Sequence, residues 1–158
     1  MLPFFMVEID ERVRQKVLAV YNLKQRILLG GTIDYPKARG IFKIGHCFYA
    51  IDDFNHATDI EIQLCLNQLL YSTVYQAIKE KSHPYFDNKD FDKLQKEGML
   101  IAESRKRFRK SIPTDREIYG EINIVNLRKR KNLVFAKVDF DFENRSCMGA
   151  LELVIVDN

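Results

Sequence analysis

The sequence predicts an α+β fold in which one long buried helix is wrapped by a curved antiparallel sheet. Three observations carry this. Apolar residues recur at helical spacing from about Thr58 to Lys81, the pattern changes to period two from Met99 onwards, and turn residues cut that second half into four runs with hairpin-length connections. Helix and strands are segregated along the chain rather than alternating, which argues against a parallel α/β sheet.

Each element follows from its residues. Ile9 to Tyr21 sets Val13, Val17, Leu18 and Val20 among charges, as expected of a short N-terminal amphipathic helix capped by Asp10. Gly30 and Gly31, followed by Asp34 and Pro36, read as a loop, and Lys37 to Ile51 reads as two strands bent at Gly45. Thr58 with Glu61 three positions later matches a capping box, so the long helix starts there. Ile60, Leu64, Asn67, Tyr71, Val74 and Ile78 then fall on one face, and Leu66, Leu69, Leu70 and Ala77 widen the apolar surface. Such breadth predicts a helix covered on most sides. Lys81 to Gly98 is a polar connection broken by Pro84, with a short surface helix around Phe91 and Leu94. The closing strands are Met99 to Ile112, Glu117 to Lys129, Leu133 to Phe142 and Cys147 to Val156. The third is clearest: Val134, Ala136, Val138, Phe140 and Phe142 alternate with Lys137, Asp139 and Asp141, giving one dry and one wet face.

With 158 residues the chain can bury roughly two-thirds of its unfolded surface, so 1–158 is read as a single domain with one core. A net charge of +3 is too mild to imply nucleic acid, and the basic runs lack the interleaved aromatics on which bases stack. Cys47, Cys65 and Cys147 are odd in number and far apart, against a disulfide framework, and the cytoplasm is the expected compartment. The apolar N-terminal run ends at an acid too soon for a signal-peptide core or a membrane span. No metal-ligand spacing, phosphate loop or dinucleotide fingerprint is present, so cofactor-free chemistry without a metal is expected.

Asn67 is the first chemical candidate, because an amide on an apolar stripe must find partners or cost about 1–3 kcal/mol. It either bonds backbone or donates to a substrate carbonyl as a fixed dipole. His56, in the loop entering the helix, is either a proton carrier or a loop-ordering residue, and Tyr49 either donates its phenol or packs. Glu61 is either a general base or the second half of the capping box. Cys65 is a nucleophile by residue type alone. Arg105, Arg107 and Arg109 alternate in a basic run, so on a strand they project together and suit phosphates or an acidic partner, unless they are simply a solvated face.

These residues resemble the FcoT family of hotdog acyl-thioester enzymes. GIFKIGHCFYAIDD followed by NHATDIEIQLCLNQLLYS is similar to that family's strand, tyrosine-bearing turn, GHFN-type loop and C-x-N-Q helix. MLIAESRKRFRKSI resembles its basic strand, and KVLAVY its N-terminal tyrosine segment. Where the family loop reads GHFN, this chain has Asn55, His56, Ala57 and Thr58. The resemblance implies a single hotdog domain with Asn67, Tyr49, His56 and Glu61 as catalytic candidates. Tyr21, Thr58, Tyr71, Arg105, Arg107 and Arg109 are the substrate-binding ones. It implies hydrolysis of acyl-coenzyme A or acyl-carrier-protein thioesters as the first expectation. The alternatives are addition of glycine to a (2E)-enoyl-carrier-protein thioester, or a non-catalytic protein that binds acyl carriers. A homodimer or higher homo-oligomer is implied with it, and neither nucleic acid nor membrane as partner.

Overall fold

The computed structural model describes residues 6–156. The first five residues, which belong to the short apolar N-terminal run, lie outside that range. Seven strands form one antiparallel sheet: β1 Val7–Glu8, β2 Leu28–Asp34, β3 Lys37–Phe42, β4 Met99–Phe108, β5 Ile118–Arg130, β6 Leu133–Phe142 and β7 Cys147–Val156. Their order is β1-β2-β3-β5-β6-β7-β4, so β4, the first strand after the long helix, crosses to the far edge. Helix α1, Glu11–Leu18, follows β1 and is capped by Asp10, whose carboxylate accepts from Val13 N–H at 3.0 Å. The long helix α2, Asp59–Glu80, packs on α1 and on β2, β3 and β5.

The capping box forms as the spacing requires: Thr58 and Glu61 each satisfy a backbone N–H of the first turn. The other end closes on Lys81, in the left-handed conformation, with its N–H directed to Ala77 and Ile78 carbonyls. The apolar row containing Asn67 is not the row that meets the sheet. Val74 is buried, but Leu64, Asn67, Tyr71 and Ile78 are half-buried and Ile60 is exposed. The apolar residues fully covered are Ile62, Cys65, Leu66, Leu69 and Ala77, on the neighbouring row, with the polar Gln68, Ser72 and Thr73 covered as well. Both rows are apolar, and packing against the sheet selects one and leaves the other as a flank.

Two further sequence readings need correction. Gly30 and Gly31 lie within β2, where Gly31 has φ +147° and an added Cβ would stand 2.0 Å from the Arg39 carbonyl oxygen. Gly31 answers a close strand-to-strand approach rather than a loop, while a side chain at Gly30 would meet open space. Only one strand, β3, forms from the Lys37 to Ile51 stretch; the segment after Phe42 is an irregular loop folded on its own bonds, such as Cys47 N–H to Asp53 Oδ1 at 2.8 Å. The helical turn at Phe91–Lys93 is present as expected, though Phe91 and Leu94 are buried rather than superficial.

Gly40 and Gly120 face each other in register across β3 and β5, and both lie under aromatic rings. A Cβ on Gly120 would come within 2.3 Å of the Phe142 ring, and one on Gly40 within 2.5 Å of Phe42. The two rings sit 5.8 Å apart beneath α2, so the glycine pair makes the space into which they pack. Gly120→Ala should therefore lose about 1–3 kcal/mol of stability in urea unfolding through overpacking. A variant as stable as the parent would show that the ring can move aside.

A register shift between Ile101 and Glu103 changes which side of β4 faces the core. Before it, Met99 and Ile101 stand opposite Ile155 and Leu153; after it, Ser104, Lys106 and Phe108 stand opposite Leu151, Gly149 and Cys147. One long helix on the inner face of a curved antiparallel sheet is the hotdog arrangement.

Candidate active site

The loop between β3 and α2 returns to the helix start and delivers three side chains to one carboxylate. Glu61 is only 4% exposed, yet both of its oxygens are occupied. Oε1 accepts from Tyr49 OH at 2.5 Å and from Cys47 Sγ at 3.1 Å. Oε2 accepts from Thr58 N–H at 3.0 Å and from Thr58 Oγ1. Burial pushes the Glu61 carboxyl up, but the bonds from Thr58, Tyr49 and Cys47 together outweigh it, so the group lies below its ordinary value and is a carboxylate at neutral pH. Burial and then the Glu61 carboxylate raise the Tyr49 phenol, which stays protonated and donating. Burial raises both the Cys47 and the Cys65 thiols, with Glu61 adding to each, so neither is an activated nucleophile. Glu61 thus spends its lone pairs on fixing Tyr49 and the loop, which matches the capping reading more closely than a free base.

Asn67 lies on the half-buried flank, farther along α2 than Glu61. Its Oδ1 accepts from Gln63 Nε2 at 2.9 Å, and its own NH2 group has no partner among the described residues. Gln63 is held in turn by β4: its Oε1 accepts from Lys106 Nζ at 2.5 Å and from Ser104 Oγ at 3.1 Å. Lys106 also bonds Asp59 Oδ1 at 3.0 Å, and its side chain is 7% exposed. The amide that does serve the backbone is Gln68, next in sequence. Its Oε1 accepts from Ile27 and Leu28 N–H groups at 3.1 and 3.0 Å, and its Nε2 donates to the Gln25 carbonyl at 2.6 Å. Structural and available amides are therefore adjacent in the sequence and on different faces of α2.

The remaining candidates separate into three places. His56 is exposed, bridges Pro113 and lies 6.0 Å from the Phe54 ring; Phe48, Tyr49 and Phe54 form the rest of that aromatic cluster. With Thr58, Asp59, Phe108, Arg109 and Lys110 it lines an open cleft of about 530 Å³. Tyr71 lies one turn beyond Asn67, with its OH toward the Gln95 carbonyl at 3.4 Å. Tyr21 is half-buried and near it: burial first, then Tyr71, raises the Tyr21 phenol. Arg105 and Arg107 do share a face, but the register shift in β4 makes it the outer one, away from α2, where Arg105 pairs with Glu103. Arg109 lies past the strand end and reaches the His56 cleft instead.

Lys106, the cation that faces the helix, is the residue that sequence reasoning missed. It sits between two arginines in one basic run, and only the bulge reveals that it, and not they, points inward. Among the described residues no group of three or more His, Cys, Asp or Glu is placed to hold a metal ion, and no helix is long and apolar enough to cross a membrane.

Comparison with known proteins gives this geometry a family. A (2E)-enoyl-ACP glycyltransferase from Streptomyces coeruleorubidus is 32% identical over 128 residues, spanning 77% of this chain and 76% of that protein. Among solved structures, Cj0977, a sigma28-regulated virulence protein from Campylobacter jejuni, superposes with a TM-score of 0.56 at 18% identity, covering 93% of this chain and 98% of that one. A point variant of an HP0420 homologue from Helicobacter felis gives 0.53 at 14% identity, with 92% and 88% covered. At these identities the two structures speak for the fold alone. A family model described as an FcoT-like thioesterase domain matches residues 16–155, and the chain belongs to that family.

Proposed function

We propose that the chain is an acyl-thioester enzyme in which the NH2 group of Asn67 donates to the thioester carbonyl, and that it adds the amine of glycine to a 2-enoyl thioester. The observation that carries the first half is the Asn67 amide, fixed through its oxygen by Gln63 and left with an unpartnered donor. Such a donor stabilises the charge that develops on a carbonyl oxygen during either addition or hydrolysis.

The choice of reaction rests on Glu61. Water needs a base to become a nucleophile, and the lone pairs of this carboxylate are engaged by Tyr49, Cys47 and Thr58. An amine is the stronger nucleophile once its ammonium has shed a proton, and taking that proton asks less of a base such as His56 than taking one from water. In the addition, nitrogen forms a bond to C3 of the enoyl group, and the π electrons move onto the carbonyl oxygen beside Asn67. The proton that nitrogen gives up is balanced by the one C2 takes, carried through water from His56, which lies in the cleft at the start of α2. Arg109 and Lys110, in the same cleft as His56, suit the glycine carboxylate. The 32% identity to a glycyltransferase supports this reading.

Hydrolysis is the second reading, favoured by the family description and by an exposed His56 able to serve as base to water. In both readings coenzyme A or a carrier protein is the thiol half. Arg105 and Arg107, on the outer face, then meet its phosphates or acidic surface rather than the acyl chain. The working unit is a homodimer or larger homo-oligomer.

Mass spectrometry of products from crotonyl- and palmitoyl-coenzyme A, each with and without glycine, separates these outcomes. Glycine addition yields a crotonyl thioester heavier by one glycine and leaves palmitoyl thioester untouched. Free acid and thiol in all samples mean hydrolysis. No turnover of any thioester overturns the enzymatic reading and leaves a protein that only binds acyl carriers.

A further inference from the structure

We infer that Lys106 and Gln63 are positioning residues that set the orientation of the Asn67 amide. This rests on the reading that Asn67 donates to the thioester carbonyl. A lysine ammonium can only donate, so the Gln63 atom that faces Lys106 Nζ must be its oxygen. The same oxygen also receives Ser104 Oγ. Its NH2 group is then turned toward Asn67 and donates to Oδ1 at 2.9 Å. Asn67, with its oxygen engaged, is left to present its NH2 group. The direction of both amides is thereby decided by one buried cation on a different element of the fold, the edge strand β4.

The chain of bonds also polarises. Each amide whose oxygen accepts a strong bond becomes a better donor at nitrogen, so the charge on Lys106 strengthens the Asn67 donor through Gln63. Lys106 is itself held by Asp59 at 3.0 Å and by Ser104 Oγ at 2.7 Å, so it has no freedom to leave Gln63. Asp59, Gln63 and Asn67 follow at intervals of four along α2, which puts anchor, relay and donor on one face. Neither arginine beside Lys106 can take its place, because both lie on the other side of the sheet.

Gln63→Glu discriminates this relay from a merely structural contact. The substitution preserves shape and strengthens the bond to Lys106, so thermal stability should hold or rise. It removes the N–H that faced Asn67, which must then turn its own NH2 group toward the new carboxylate. Turnover of crotonyl-coenzyme A with glycine, or of whichever coenzyme A thioester the product assay identifies, should fall about 100-fold in kcat with KM little changed. Lys106→Met should cost about 10-fold in kcat, and Lys106→Arg should restore part of it.

A readout independent of turnover is hydrogen exchange of the Asn67 side-chain NH2, followed by 15N NMR. It should be fast in the parent and slow in Gln63→Glu. Unchanged kcat and unchanged exchange in that variant overturn the relay. If Asn67→Ala also leaves turnover unchanged, it is the underlying carbonyl reading that fails; if Asn67→Ala abolishes turnover while Gln63→Glu does not, the relay alone fails.

Discussion

Asn67→Asp should fold as the parent does and lose about 100- to 1,000-fold in kcat/KM, the loss that accompanies removal of one oxyanion donor. Aspartate keeps the size of asparagine and the acceptor that Gln63 Nε2 needs, so the bond across that turn of α2 survives. What it lacks is the NH2 group. Asn67→Ala removes both and should lose at least as much activity. Because Asn67 is half-buried rather than locked in the core, neither substitution leaves a large cavity, and neither should lower thermal stability by more than about 1–2 kcal/mol. Steady-state kinetics beside a thermal melt therefore separates chemistry from folding. Parent-like turnover in Asn67→Asp would mean that the amide has no part in stabilising the carbonyl oxygen.

That Asn67 was a candidate at all could be read from the sequence, because an amide at helical spacing among leucines is conspicuous. The ends of α2 were legible for a similar reason: the capping box and the helical period are local, and local rules need no tertiary information. The last three strands followed from alternation, which a half-buried antiparallel sheet enforces residue by residue. Other features depended on packing and were hidden. Two rows of α2 are apolar, and only the curvature of the sheet decides that Ile62 and Leu66 face inward while Leu64 and Asn67 form a flank. The register shift near Ala102 carries no proline or glycine to announce it, yet it inverts the faces of β4 and exchanges the arginines for Lys106 at the helix. Cys47 and Glu61 are 14 residues apart across an irregular loop, so their bond had no sequence signature. Gly30 and Gly31 look like a turn until they are seen paired within β2, where the Arg39 carbonyl approaches Gly31.

The loop that carries Tyr49 hangs on Glu61, and this gives the second large effect. Glu61→Gln should destabilise the protein by about 2–4 kcal/mol at neutral pH, since a buried carboxylate bonded by charge-assisted donors gives way to an amide. Tyr49 OH and Cys47 Sγ point hydrogens at one oxygen, and Thr58 N–H and Oγ1 at the other. One orientation of the glutamine sets its NH2 group against the Thr58 N–H, which can only donate, and the other requires Tyr49 OH and Cys47 Sγ to turn round and accept, so each loses bonds that the carboxylate keeps. Acid should erase the difference. The Glu61 carboxyl lies below its ordinary value of 4.5 in the folded protein, so the unfolded chain binds the proton more readily. The stability it contributes is fully present above pH 4.5 and is lost as the pH falls through the lower, folded value. Urea midpoints measured from pH 7 down to pH 3 should thus converge for parent and Glu61→Gln, with the parent doing most of the falling. Because Tyr49 and Cys47 are held through this carboxylate, the variant should also expose Cys47 to alkylation at neutral pH, where the parent keeps it 2% exposed. A constant gap between the two midpoints at every pH would show that the charge of Glu61 contributes nothing to holding the loop.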